Sequence, residues 1–117
     1  MAYALVILEP PGQRQARSDE QGKVAYQRMV RFSEELRGRG LLTLAQSLAS
    51  DHSGARVRVQ NRHATIVDGP FAEAREIVGG FLLLTCETRA QAVAIAQQCP
   101  AAEWATVEVR ELGPCFT

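Results

Sequence analysis

Continuous apolar runs and alternating segments divide the chain and predict its strands. Residues 3–8 form an apolar run that ends at a double proline, and the stretch FLLLTCE begins at Phe81. Strands that are apolar on both faces usually lie inside a sheet. Residues 41–48 predict a short second strand, with a turn of helix as the alternative. Residues 106–112 alternate cleanly and predict a last strand with one buried face.

A hairpin is predicted in the middle of the chain. Residues 56–60 alternate polar and apolar side chains, and residues 64–67 return after Asn61-Arg62. Two such runs around a short polar turn are typical of a β-hairpin, although Asn-Arg is a weaker turn signal than Asn-Gly.

Two capping boxes mark the predicted starts of the helices. Ser18 with Gln21, and Thr88 with Gln91, match the Ser/Thr-x-x-Gln pattern. The first helix is predicted to end at the stretch RGRG, where Gly38 or Gly40 suits the left-handed conformation. This helix is predicted to have one apolar face, because successive apolar residues are 4, 3 and 4 positions apart: Ala25, Met29, Phe32 and Leu36.

The order of elements predicts the fold class. A strand–helix–strand unit that occurs twice in one domain, residues 1–117, indicates an α+β, ferredoxin-like split βαβ plan with an inserted hairpin. Two helices cover one sheet face, and no third long helix is predicted for the other. Packing two such sheets together solves this shortage, so the pattern predicts a homodimer.

The composition argues against several classes of partner and cofactor. Thirteen basic and thirteen acidic residues cancel, which argues against nucleic acid or an anionic membrane as a partner. The longest strongly apolar run, FLLL, is far too short to span a bilayer. The three cysteines lack metal-ligand spacing, and no motif indicates a flavin, haem or nucleotide cofactor. We therefore expect a reduced, soluble, cytoplasmic protein without a metal or cofactor.

The stretch DGPFAEAREIV carries the densest group of candidate functional residues. Asp68 starts it, and the composition of FAEAREIV predicts about two turns of helix, with Gly69 or Asp68 as the cap and Gly79-Gly80 as the end. Asp68 is then a structural turn residue. If the short helix folds back over the sheet, Asp68 is instead a general base at a cleft, with Arg56 or Arg58 holding an anionic substrate.

The motifs VDGPFAEAREIVGGFLLL, CPAA and VEVREL, with FSEEL in the first helix, resemble the DGPF subgroup of the YCII-related proteins over essentially the whole chain. This resemblance implies a dimeric α+β barrel, in which ferredoxin-like protomers pair their sheets. Relatives of that fold include enzymes and ligand-sensing domains. Some members of the subgroup are linked by gene neighbourhood to alternative sigma factors.

One departure from the family pattern affects the predicted site. Wider relatives carry a histidine on the first helix that is proposed to work with a cleft aspartate, and here that helix contains none. Asp68 remains the candidate catalytic residue, and an arginine, Tyr26 or His63 would have to partner it. The full candidate ligand-binding set is Arg56, Arg58, Tyr26, His63 and Phe71.

Two functions remain open from the sequence. One is a small-molecule cleft, with or without catalysis, in each protomer of a homodimer. The other is a non-enzymatic regulatory module that binds a protein partner, such as a transcription factor, through the arginine-rich hairpin. The sequence names neither the ligand nor a reaction.

Overall fold

The computed structural model describes residues 2–116. Along this part of the chain the strands are β1 (Tyr3–Glu9), β2 (Leu42–Ser47), β3 (Ala55–Gln60), β4 (His63–Asp68), β5 (Ile77–Leu84) and β6 (Thr106–Glu111). The α-helices are α1 (Asp19–Gly38) and α2 (Arg89–Gln98), and short 3-10 helices lie at Asp51–Ser53 and Pro100–Glu103.

Four strands form an antiparallel sheet in the order β2-β5-β1-β6. With α1 between β1 and β2, and α2 between β5 and β6, this order is that of the ferredoxin-like α+β plan. The predicted protomer architecture is therefore confirmed. The hairpin of β3 and β4 is inserted between β2 and β5 as a separate two-stranded sheet.

Both helices begin where their capping boxes predict. Ser18 accepts a hydrogen bond from the backbone of Gln21, whose side chain bonds back to the cap, and Thr88 does the same with Gln91. At the end of α1, Gly40 has a φ of 71°. The Gly40 and Leu41 amides there donate to the carbonyls of Arg37 and Leu36, which closes the helix in a Schellman motif.

The core lies between the two helices and one face of the sheet. Its largest fully buried side chains are Leu5, Leu36 and Leu84. From α1 it takes Phe32 as well as Leu36, and from α2 it takes three residues: Ala92, Ile95 and Ala96. The C-terminal half of α1 therefore packs closely, while Ala25 and Met29 nearer its start are only half-buried.

The opposite face of the sheet carries apolar side chains that the helices do not cover. Register pairs Val6 with Phe81, and Leu83 with Leu44, on the face that points away from Leu5. Leu44 and Val78 on this face are 39% and 46% exposed. We call this surface the open sheet face; its members are Val6, Leu8, Leu44, Val78, Phe81 and Leu83.

The inserted hairpin projects from the domain. All residues of β3 and β4 are exposed. Its turn is the predicted Asn61-Arg62, with φ angles of 49° and 67°, the positive values that two-residue hairpin turns of type I′ require. The hairpin prediction is confirmed, including its turn.

The predicted helix in FAEAREIV is wrong. Apart from one turn, in which the Ala74 amide donates to the Phe71 carbonyl at 3.0 Å, this stretch is irregular, and β5 already begins at Ile77. Ile77 and Val78 pair with the end of β1. Pairing along the sheet thus prevails over the local helical composition, and Gly79 and Gly80 lie inside the strand rather than ending a helix.

Candidate functional site

A cleft opens between the N-terminal half of α1 and the sheet. It has a volume of about 470 Å³, and we call it the α1 cleft. It forms because the C-terminal half of α1 contacts the core while the half-buried Ala25 and Met29 face a gap. The sheet side of this gap is formed by β1, β2 and β5 near the end of β1.

The wall of the α1 cleft combines apolar and polar side chains. Ile7 and Leu82 line it from the sheet, and Ala25, Met29 and Val30 line it from the helix. Other lining residues supply hydroxyl groups, charges and one indole ring: Tyr26, Ser33, Glu34, Arg37 and Trp104. An apolar pocket of 300–1,000 Å³ with a few polar groups is typical of small-molecule sites.

An ion pair between the buried Glu9 and the half-buried Arg14 lies at one end of the cleft. The Glu9 residue is 6% exposed, and its Oε1 lies 2.7 Å from Nε of Arg14. Arg14 also donates to two backbone carbonyls, that of Leu48 at 2.6 Å and that of Gly79 at 3.1 Å. Arg14 thereby connects the loop after β1 to β5 and to the end of β2.

Gly79 makes room for this pair. A Cβ at Gly79 would overlap Oε2 of Glu9 and lie 2.8 Å from its Cδ. At the next position, a Cβ at Gly80 would lie 2.7 Å from the carbonyl oxygen of Gln46. The two glycines that the sequence places before FLLL thus let β5 pass closely beside a carboxylate and a neighbouring strand.

Trp104 also lines the cleft. Its carbonyl accepts a 2.6 Å hydrogen bond from the side chain of Gln13, and the guanidinium groups of Arg17 and Arg28 each lie 5.5 Å from its ring centre. Arg28 binds Glu103 through two hydrogen bonds of 3.1 and 2.5 Å. These bonds raise the pKa of Arg28 and lower the pKa of Glu103.

The DGPF stretch builds a corner at the base of the hairpin. The backbone amide of Phe71 donates to Oδ2 of Asp51 at 2.9 Å, and the Gly69 amide donates to the Gly54 carbonyl at 2.8 Å. A Cβ at Gly69 would overlap the carbonyl oxygen of Asp51. The carboxylate that holds this corner is therefore Asp51, whereas the sequence predicted a cap from Gly69 or Asp68.

The predicted site residues lie in two places. Arg56 lies over the ring of Phe71, 4.2 Å from its centre, at the hairpin base. Asp68 is exposed and pairs with Ala55 at the end of β4. Because side chains alternate along a strand, Asp68 points to one face of the hairpin while Arg56 and Arg58 point to the other.

His63 and Tyr26 complete the predicted set. His63 is exposed beside the hairpin turn, opposite Gln60. Tyr26 lines the α1 cleft, and it is the one member of the set that does; Asp68, Arg56, Arg58, His63 and Phe71 are not among the cleft's lining residues.

A comparison with known protein families identifies the family of this chain. The sequence model of the YCII-related domain matches residues 1–115. The chain belongs to the YCII-related family. A comparison with curated proteins found no match.

In this YCII-related chain the sequence reasoning missed the residues around the ion pair. Glu9 continues the row of inward-facing residues Tyr3, Leu5 and Ile7, so its position in the alternation was the signal that could have identified it. Arg14 carried no such signal, because it lies in a polar loop and reaches its partners through folding.

The three thiols of the YCII-related chain differ in burial. Burial raises the pKa of the Cys86 and Cys99 thiols, whereas Cys115 is exposed. Between residues 2 and 116, no group of three or more His, Cys, Asp or Glu side chains is arranged to hold a metal ion. No helix in the same range has both the length and the apolar character needed to cross a membrane.

Proposed function

We propose that this YCII-related protein binds a small molecule in the α1 cleft of each protomer of a homodimer. The observation that carries the proposal is the cleft itself: about 470 Å³, lined by apolar side chains together with a few polar ones, with the Glu9–Arg14 ion pair at one end. Small-molecule sites combine this size with this distribution of polar groups.

Tyr26 is the ligand contact that both the sequence and the cleft geometry support. It is 58% exposed and lies on the α1 side of the cleft. An aromatic side chain at the mouth offers a flat apolar surface and a hydroxyl group to a bound molecule. Its exposure also makes it suitable for mutation, because its removal leaves the core unchanged.

The homodimer is supported by the open sheet face. Of its six apolar side chains, Leu44 and Val78 are exposed and the other four are half-buried. An apolar surface patch of this kind is typical of a protein interface. Pairing two such faces would give the dimeric α+β barrel. The DGPF motif supports placement in the DGPF subgroup, since its glycine and phenylalanine build the corner beside Asp51.

A thermal-shift screen of metabolites tests the cleft, using wild type, Tyr26→Ala and Asp68→Asn. A ligand at about 100 times its dissociation constant stabilises the native state by roughly 2.7 kcal/mol. We expect hits that weaken in Tyr26→Ala and persist in Asp68→Asn. Hits that vanish only in Asp68→Asn would move the site to the hairpin base, and an absence of hits would contradict the proposal.

A second candidate function is binding of a protein partner through the hairpin. Val57, Val59 and Ile66 share one face of it and are 62%, 65% and 65% exposed, while Arg56 and Arg58 lie on the other face. Such a ribbon offers apolar contact on one side and positive charge on the other, which suits a partner with an acidic rim.

A pull-down with Arg58→Glu tests this second candidate. Arg58 is the better site because Arg56 also packs on Phe71, so its replacement would disturb the corner. We expect a co-purifying protein that is lost in Arg58→Glu and retained in Arg31→Glu, an exposed charge reversal on α1. Clean protein without any partner, or equal loss in both variants, would rule out the hairpin as the binding surface.

A further inference from the structure

Glu9 stands out because it is the one charged residue that is buried among residues 2–116. Burying a carboxylate costs free energy, and replacing a buried ion pair by apolar side chains is often neutral or stabilising. Its neighbours in the inward row, Tyr3, Leu5 and Ile7, are all apolar. The cost of burying a carboxylate at the end of this row points to a role for Glu9 beyond stability.

Arg14 has little capacity left to bind a ligand. Its guanidinium carries five N–H donors. Three of them donate to protein oxygens: the Leu48 carbonyl at 2.6 Å, the Gly79 carbonyl at 3.1 Å and, more distantly, Glu9 Oε2 at 3.5 Å. The Nε atom also lies 2.7 Å from Glu9 Oε1 in the ion pair.

Glu9, in contrast, keeps acceptor capacity beside the cleft. Oε1 lies 2.7 Å from Arg14 in the ion pair, and Oε2 accepts one hydrogen bond from Arg14 that is long, at 3.5 Å. An ionised carboxylate offers about four lone-pair sites. Oε2 lies over Gly79, in space that a side chain would otherwise fill, and both residues line the cleft.

We propose that Glu9 is the ligand-recognition residue of the α1 cleft, and that the ligand is an uncharged molecule with an apolar body and a hydroxyl or amide N–H group that donates to Oε2. This inference rests on the proposed function of the cleft and adds the chemical class of the ligand. It differs from one alternative that the sequence leaves open, an anionic substrate held by hairpin arginines.

The ion pair explains why the donor group is uncharged. Arg14 already neutralises Glu9, so a cation at this end would add an uncompensated charge beside a guanidinium. An anion would face the Glu9 carboxylate while most of the Arg14 donors are occupied. A neutral donor satisfies the open lone pairs of Oε2 without either penalty, and the apolar wall accommodates the rest of the molecule.

Three aromatic probes of similar size test the proposal by NMR titration. Benzamide carries a neutral N–H donor, benzoate carries a negative charge, and methyl benzoate has no donor. We expect benzamide to shift the Trp104 indole resonance saturably and to bind about ten-fold more tightly than methyl benzoate, which corresponds to about 1.4 kcal/mol. In Glu9→Gln this preference should fall to about two-fold or less.

Controls separate recognition from folding. Glu35→Gln makes the same chemical change on α1 outside the cleft and should keep the wild-type preference. If Glu9→Gln does not fold, a crystal of the wild-type protein soaked with benzamide replaces it. There the amide nitrogen is expected 2.7–3.2 Å from a Glu9 carboxylate oxygen, and a pose without this contact would overturn the proposal.

The outcomes distinguish this inference from the proposed function. Tightest binding by benzoate, or equal binding of benzamide and methyl benzoate, would overturn the role of Glu9 while leaving the cleft as a binding site. If no probe binds, the ligands from the metabolite screen whose binding depends on Tyr26 test the inference. If these ligands carry no neutral hydrogen-bond donor, the inference is overturned while the proposed function stands. Failure of both the probes and the screen would overturn the inference together with the proposed function.

Discussion

At the scale of single residues, two glycines set how closely segments approach one another. Gly69 lets the hairpin base pass against the Asp51 carbonyl, and Gly79 leaves space for the Glu9 carboxylate. Neither has a positive φ, so the requirement is for space and not for an unusual backbone conformation. In both places a single methyl group would collide with an atom that has a defined role.

Gly69→Ala is expected to lower the free energy of unfolding by about 2 kcal/mol, because forcing extra volume into a closely packed position costs about 1–3 kcal/mol. Urea denaturation measures this change. Gly38→Ala is the matched control, since no atom lies within 4 Å of a Cβ there and the residue is in the last turn of α1. Equal effects of the two substitutions would contradict the steric explanation.

The site shows which residues a sequence can identify. Tyr26 was predicted as a ligand contact, and it does line the cleft. Glu9 follows the predicted strand 3–8 and was given no role, because its burial depends on folded packing that includes the close approach of Gly79. Arg14 contacts Leu48 and Gly79, which are distant in the chain, as well as the nearby Glu9. Such long-range contacts leave no local pattern.

At the scale of elements, the sequence correctly predicts the helix starts and the hairpin, which short local motifs specify. Both capping boxes formed, and the alternating strands paired around Asn61-Arg62. The segment 71–78 was predicted incorrectly because its composition favours a helix while β1 offers strand partners to Ile77 and Val78. The pattern within a short stretch of sequence cannot predict pairing with a strand almost seventy residues away.

The hairpin turn provides a test of the local argument. Arg62 has a φ of 67°, which costs a residue with a side chain about 1 kcal/mol, whereas glycine adopts this conformation freely. Arg62→Gly is therefore expected to raise the free energy of unfolding by up to about 1 kcal/mol in thermal or urea denaturation.

Gln60→Gly is the control for Arg62→Gly, because Gln60 lies in β3, where glycine weakens a strand. Stabilisation by Arg62→Gly together with destabilisation by Gln60→Gly would confirm the turn geometry. Loss of stability in Arg62→Gly would show instead that the arginine side chain makes a contact worth more than the backbone cost.

At the scale of the whole molecule, the protein is flat. Its principal extents are 46 × 42 × 19 Å, and the short one accommodates one sheet and one layer of helices. A two-layer plate leaves the second face of its sheet without cover. The open sheet face and the projecting hairpin are both consequences of this thin shape.

Light scattering tests whether two protomers associate through the open sheet face. We expect the wild-type protein at micromolar concentration to have twice the 12.8 kDa mass of one chain. Leu83→Arg, which places a charge at the centre of the open sheet face, should halve that mass, because an unpaired buried charge is costly. Val24→Arg, on an exposed part of α1, should leave it unchanged.

A wild-type mass of one chain would reject the homodimer. A dimer that persists in Leu83→Arg would instead place the contact on another surface, and the hairpin would be the next surface to test.

The position of β1 in the sheet has a consequence for synthesis of the chain. β1 occupies residues 3–9, yet its two neighbours are β5 and β6, which begin at residues 77 and 106. At about 5–20 residues per second, a ribosome delivers these partners several seconds after β1 has been made. β1 is thus made well before either of its neighbours in the sheet, and contacts this far apart in sequence slow folding. Until then its apolar side chains must be shielded by the growing chain itself or by a chaperone.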